Sequence, residues 1–211
     1  MAVDLYKDDF SRVADTDVFR AIEAFTRISE PMDVRPHESF VLDFKEEWSG
    51  GVLHTVAGFA HAFGGLLIVG ISENKGQREN IVGIDLPGEL KTRIASSIAT
   101  NISPTPANEI AECNLPTQVG RKLAVVRVRQ GHQICYCTKK GDRPIYLRNE
   151  DQTVPADAAQ LRSLVERNTG KLQPQLEVAK RVGVLGPSVQ LEHTDHLAPS
   201  HPPYADYSES V

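Results

Sequence analysis

Apolar and polar positions alternate along this chain with two distinct periods. Val18, Ile22, Phe25 and Ile28 recur at helical spacing and predict a helix over 14–30, capped by Thr16 or Asp17. Pro31 and Pro36 then punctuate a loop. From Ser39 to Lys45 the period becomes two. Phe40, Leu42 and Phe44 fall on one face, and Val41, Asp43 and Lys45 on the other. This predicts a half-buried strand that presents Asp43 and Lys45 together. Glu38 has the wrong parity for that face and can join Asp43 only from a turn before the strand. Gly50-Gly51 breaks the pattern. A helix over 52–63 follows, with Val52, Leu53, Val56, Phe59 and Ala60 as its apolar stripe and Gly64-Gly65 at its end. The continuous run from Leu66 to Ile71 predicts a strand buried on both faces, with a hairpin-like return over 81–84.

The second half reads as one more helix and then mostly strands. Leu90, Ile94, Ile98 and Ile102 set a helix over 89–102, stopped by Pro104 and Pro106. Strands are expected over 109–114, 122–129, 133–137 and 144–148. In the second of these, Val126 and Val128 alternate with Arg127 and Arg129. Pro155 suits a first helical position, and Leu161, Leu164 and Val165 carry a helix that ends near Gly170. Beyond Lys171 the pattern dissolves among prolines and scattered histidines. This predicts a flexible tail over 171–211, with a short helix near 173–184. The organisation expected is an N-terminal helical segment (1–34), a central α+β domain (35–170) with a mixed sheet and packed helices, and that tail.

Composition adds bounds. The chain has 211 residues, 40% hydrophobic and 24% charged, as in soluble globular proteins. No apolar run approaches the ~20 residues needed to span a bilayer, so no membrane role is expected. The start has no apolar core of the kind a secretory signal carries. Three cysteines without a disulfide rhythm suit a reducing, cytoplasmic setting. The net charge of −5 argues against a protein that coats nucleic acid by bulk charge. It leaves room for a local basic patch or an acidic metal site.

Three sets of residues carry candidate chemistry. Glu38, Asp43 and Glu73 hang around one strand–helix–strand unit, where carboxylates can hold Mg²⁺ or Mn²⁺ over a phosphate, and Lys45 could stabilise developing charge. They are equally the solvated ends of an exposed sheet. Arg127, Arg129, Lys139, Lys140, Arg143 and Arg148 come from neighbouring strands and could grip a phosphate backbone, with Tyr136 and Tyr146 stacking on bases. Cys113, His132, Cys135 and Cys137 suggest zinc, although the Cys-x-Cys spacing is tighter than in zinc knuckles and the thiols could be core residues. His54 and His61 share a helix face, where structural roles are expected and Glu38 or Asp43 could pair with one of them. No P-loop and no helix-turn-helix pattern is present.

The order of motifs resembles the AlbA domain of the Schlafen family. Glu38-Ser39, Asp43-Phe44-Lys45, Ala57 to Gly65, Gly70 to Glu73, Gly83-Ile84-Asp85, Ile102 to Pro106 and Tyr146-Leu147-Arg148 follow one another as that family's pattern does, over about residues 35 to 167. Two positions depart from it. His61 stands where Asn is usual, and Asn149-Glu150 follows Arg148 where Gly is common. The resemblance implies nucleic-acid binding, of RNA or DNA. In some members it implies a metal-dependent endoribonuclease acting on structured RNA such as tRNA, whose three acids fall here on Glu38, Asp43 and Glu73. It further implies a homodimer, since Schlafen cores pair two such domains. The competing expectation is a non-catalytic module that binds DNA or a protein, with the tail recruiting a partner.

Overall fold

The computed structural model describes residues 3–27, 36–74, 77–85, 88–138 and 143–168, with backbone alone for 73, 74 and 77–79. The tail, Lys139, Lys140 and Ile28 lie outside the described residues. In chain order the elements are a 3-10 turn (Phe10–Arg12), α1 (Asp15–Thr26), β1 (Leu42–Lys45), α2 (Gly50–His61), β2 (Gly65–Val69), β3 (Ile71–Asn74) and β4 (Gln77–Ile81). Then come α3 (Leu90–Asn101), β5 (Ile102–Ser103), β6 (Asn108–Asn114), β7 (Lys122–Val128), β8 (Tyr136–Cys137), β9 (Tyr146–Asn149) and β10 (Gln152–Pro155). A last helix, α4, runs over 158–168.

The fold is α+β, with a mixed central sheet in the order β1-β2-β7-β6. β1 and β2 are parallel, joined through α2, while β7 runs antiparallel to both of its neighbours. Alternation along β2 and β7 feeds two cores. Leu67, Val69, Ala124 and Val126 meet α2 and α3 on one face. Leu66, Ile68, Leu123 and Val125 meet Leu5, Phe10, Val18 and Ile22 of the N-terminal segment on the other. Each such side chain taken out of water is worth roughly 1.5–3 kcal/mol. The sheet is therefore covered on both faces, and the first helix is part of what covers it. The β3–β4 and β9–β10 hairpins and a two-residue β5–β8 ladder complete the strands. Among the described residues no helix is long and apolar enough to cross a membrane.

Several boundaries differ from those expected, each for a local reason. α1 starts at Asp15 without a side-chain cap, and Arg27 ends it at a left-handed φ of 50°. Gly50 and Gly51 do not break the chain but form the first turn of α2. Pro155 closes β10 instead of opening a helix. Asp157 caps α4, accepting the Gln160 N–H on its side chain at 2.8 Å and the Leu161 N–H on its carbonyl at 2.9 Å. The strand expected over 133–137 shortens to Tyr136–Cys137. The largest difference is β1. Only Leu42–Lys45 is extended, and Ser39 and Leu42 instead bridge each other across a turn, which leaves Phe40 41% exposed.

Candidate functional site

That turn brings Glu38 beside Asp43. The Ser39 N–H donates to the Leu42 carbonyl at 2.9 Å, so the chain doubles back and the Phe44 N–H reaches a Glu38 carboxylate oxygen at 3.0 Å. Lys45 joins them, with its ammonium 2.7 Å from Asp43 and 3.7 Å from Glu38. Glu38, Asp43 and Lys45 thus converge, as their candidate roles require. The side chain of Glu73 lies outside the described residues. Its backbone pairs with Arg78 just after a bulge in the β3–β4 hairpin.

Asp43 does not face solvent. β1 is buried on both sides, and the Asp43 side chain is 0% exposed. One carboxylate oxygen accepts from the Phe44 N–H at 2.8 Å and from Lys45 at 2.7 Å. The other accepts from Thr55 Oγ1 on α2 at 2.9 Å and from the Arg148 guanidinium on β9 at 3.1 Å. Arg148 spends its remaining donors on the Ser39 and Leu42 carbonyls, at 3.0 and 3.1 Å, and on Thr153 at 3.3 Å. Its guanidinium sits 5.3 Å from the centre of the Phe59 ring. A carboxylate and a guanidinium this deep persist only when every polar atom is met. Here the pair ties β1, α2 and the β9–β10 hairpin together. Thr55 went unnoticed in the sequence because a Thr in an apolar helix gives no sign of its partner.

Glu38 and Asp43 divide one negative charge. Burial, then the hydrogen bond and charge of Asp43, push Glu38 up to about 8, against the pull of Lys45 and the Phe44 N–H. Burial alone would raise Asp43 too, but its bond with Glu38 and the charges of Lys45 and Arg148 hold it below the ordinary carboxylate value. The folded state therefore keeps the Glu38 proton where the unfolded chain has released it. That contribution is complete below the free value of 4.5 and is lost as pH rises through about 8. The Asp43 contribution has the opposite sign and is lost only in acid. Stability should fall between about pH 5 and 8.5 in the native chain and be flatter over that window in Glu38→Gln, as read from urea midpoints. Identical profiles would mean that Glu38 is solvated.

The six expected cations do not form one face. Arg127 is buried beneath the N-terminal segment, donating to the Leu5 carbonyl at 3.2 Å, to the Asp8 carbonyl at 2.6 Å and to Glu109. Its guanidinium lies 4.4 Å above the Phe10 ring. Arg148 is committed to Asp43. Arg129 is exposed and shares Glu109 with Arg127. Arg143 is exposed and lies 5.4 Å from the Tyr136 ring centre. Tyr146 is buried, stacked on His54 at 4.0 Å, so it offers no ring to a base. Lys139 and Lys140 lie outside the described residues.

The zinc expectation is corrected by the sheet. Cys113 packs in the core under the N-terminal segment, Cys135 and Cys137 pack in the opposite core, and His132 is exposed. Burial pushes Cys113 and Cys135 up to about 12, as inert core thiols require. His61 takes a structural part as well. Its Nδ1 lies 2.7 Å from the Tyr146 carbonyl and its Nε2 accepts the Cys135 N–H at 2.9 Å. These partners assign a neutral ring with the proton on Nδ1, and burial lowers its pKa accordingly.

The model of the Schlafen, AlbA_2 family matches residues 38–157, more than half of the chain. The chain belongs to that family. Schlafen AlbA_2 membership supports a nucleic-acid-related function. No curated protein matches the chain. Among solved structures, the crystal structure of the DIP2311 protein from Corynebacterium diphtheriae is similar at 20% identity and a TM-score of 0.47, over 72% of this chain and 28% of that one. The chain spans less than a third of that protein.

The Schlafen resemblance implies Mg²⁺ or Mn²⁺ on Glu38, Asp43 and Glu73, and Asp43, the central one of the three, does not fit such an ion. A carboxylate has about four acceptor positions, and on Asp43 Phe44, Lys45, Thr55 and Arg148 supply two donors to each oxygen, with Glu38 as a further partner. Divalent metals need accessible oxygens, whereas the Asp43 carboxylate is sealed from solvent. Among the described residues no three His, Cys, Asp or Glu side chains are grouped to hold a metal.

Proposed function

We propose that this Schlafen AlbA_2 domain binds nucleic acid without cutting it. The observation that carries the second half is the state of Asp43, fully buried and bonded at every acceptor position. The central acid of a nuclease must release oxygens to a metal or a water. Here that would strip the Arg148 guanidinium of its counter-charge inside the fold. The first half is supported by family membership. Binding would draw on exposed cations such as Arg129 and Arg143, not on the buried Arg127 and Arg148.

The test uses labelled tRNA, single-stranded DNA and duplex DNA, each with Mn²⁺ or with EDTA, beside Glu38→Gln. The expected result is retention that weakens with salt, is indifferent to EDTA, and leaves the strands intact. Mn²⁺-dependent cleavage that disappears in Glu38→Gln would overturn the binding-only reading and restore the endoribonuclease. An absence of retention on all three probes would remove nucleic acid as the ligand.

A further inference from the structure

α2 ends in a corner that displays an aromatic ring to solvent. Phe63 is 72% exposed, the highest exposure of any aromatic side chain among the described residues. Helical spacing would put it on the apolar stripe four residues after Phe59, but α2 stops at His61 and the chain turns its ring out to solvent. The backbone on either side is held at several points. The Ala62 N–H donates to the Gly58 carbonyl at 3.0 Å, and the Gly64 N–H to the Phe59 carbonyl at 2.9 Å. The Ala62 carbonyl accepts from Gln130 Nε2 at 2.5 Å, and the His61 carbonyl accepts from Arg167 at 2.5 Å. The Gly131 N–H reaches the Ala60 carbonyl at 2.8 Å. Gly64 itself sits at φ +79°, where an added Cβ would lie 2.7 Å from the Val128 carbonyl oxygen. The corner is thus pressed against the segment 128–131 and cannot swing the ring inward.

The groups around this corner are donors and cations. Arg129 has a side chain 69% exposed and follows directly on the strand residue that Gly64 touches. Glu109 faces both Arg127 and Arg129, so one carboxylate answers two guanidiniums, and Arg129 is the one that reaches solvent. Exposed His132 and half-buried Arg167 flank the same loops. An exposed ring near an exposed cation is how sequence-tolerant single-strand binders hold a base and its phosphate. The backbone that carries the ring is already held, so only the side chain is ordered on contact.

We propose that this corner is a stacking platform for single-stranded nucleic acid, with Phe63 stacking on a base and Arg129 contacting the adjoining phosphate. The inference rests on the nucleic-acid reading above and assigns it a place on the fold away from the Glu38–Asp43 pair.

Fluorescence anisotropy on the full chain tests it, with labelled oligo(U) and oligo(dT) of about 12 nucleotides, within the usual site size of one such module. Phe63→Ala should weaken binding by at least about fivefold, the low end for one lost base–aromatic stack. Phe63→Trp should restore it. Arg129→Gln should weaken it and flatten the salt dependence by about 0.7 in log–log slope, the share of one phosphate contact on a single strand. The exposed position of Phe63 keeps the alanine variant folded, checked by an unchanged melting temperature. If the native chain binds and Phe63→Ala binds equally well, the platform is overturned, the nucleic-acid reading survives, and the corner is free for a protein contact. If the native chain binds neither oligonucleotide, nor tRNA or duplex DNA, both readings fall together.

Discussion

Arg148→Met should unfold with about 3–5 kcal/mol less stability than the native chain, the cost of leaving one member of a buried ion pair alone. Asp43 and Arg148 have side chains 0% and 1% exposed, 3.1 Å apart. Removing the guanidinium strands a carboxylate and releases the carbonyls of Ser39 and Leu42, which accept from the same side chain. Lys45, on the other carboxylate oxygen, and Thr55, on the oxygen that Arg148 shares, soften the loss. A double variant, Asp43→Leu with Arg148→Met, replaces the pair by apolar volume and should lie closer to the native chain than Arg148→Met alone. Urea denaturation of the three proteins decides the point. A single variant within about 1 kcal/mol of native would mean that water reaches the pair, and the objection to Asp43 as a metal ligand would go with it.

Gly70→Ala should cost at least about 2 kcal/mol, since backbone strain and overpacking each contribute roughly 1–3 kcal/mol. Gly70 joins β2 to β3 at φ +108°, a conformation that L side chains rarely adopt. A Cβ there would lie 2.5 Å from Leu123 Cδ2 and 3.0 Å from the Gly83 Cα. The junction cannot relax cheaply. The Gly70 N–H donates to the Lys45 carbonyl at 2.7 Å, and its own carbonyl accepts from the Val82 and Gly83 N–H groups at 2.9 Å each. The same residue therefore anchors the end of β1 and the return of the β3–β4 hairpin. Gly51→Ala is the control, because its nearest neighbour is 3.9 Å away and alanine favours a helix. A fall in thermal midpoint for Gly70→Ala no larger than for Gly51→Ala would show that the turn is free to move.

The elements that bury ordinary hydrophobic patterns were legible in the sequence. α2, α3, β2 and β6 lie where periodicity places them, because nothing but packing sets them. The errors cluster where a charged residue is buried. Asp43 and Lys45 made β1 read as a half-exposed strand, and Arg127 made β7 read as cationic on one side. A side chain's polarity marks an exposed face only if no partner waits for it. The partners were Arg148, 105 residues later, and the carbonyl of Leu5, 122 residues earlier. Periodicity is local and carries no information at that range. The cysteines show the same limit. Parity puts Cys135 and Cys137 on one side of their strand, but it does not say which core Cys113 faces. The convergence of Glu38 with Asp43 was half visible, since parity required a turn. Phe63 left no trace, because helical spacing continues the apolar stripe through it, and only the end of α2 at His61 turns it out to solvent.

The two-sided burial of the sheet bears on how such a module moves between proteins. The match to the family model begins at residue 38, yet Leu5, Phe10, Val18 and Ile22 close the face made by Leu66, Ile68, Leu123 and Val125. The inherited unit and the folding unit have different edges. A gene fragment cut at the edge of the shared pattern would carry a sheet with one side open to water, a surface that invites association. In this chain the segment ahead of the matched residues is that cover, and what the sheet asks of it is one apolar side.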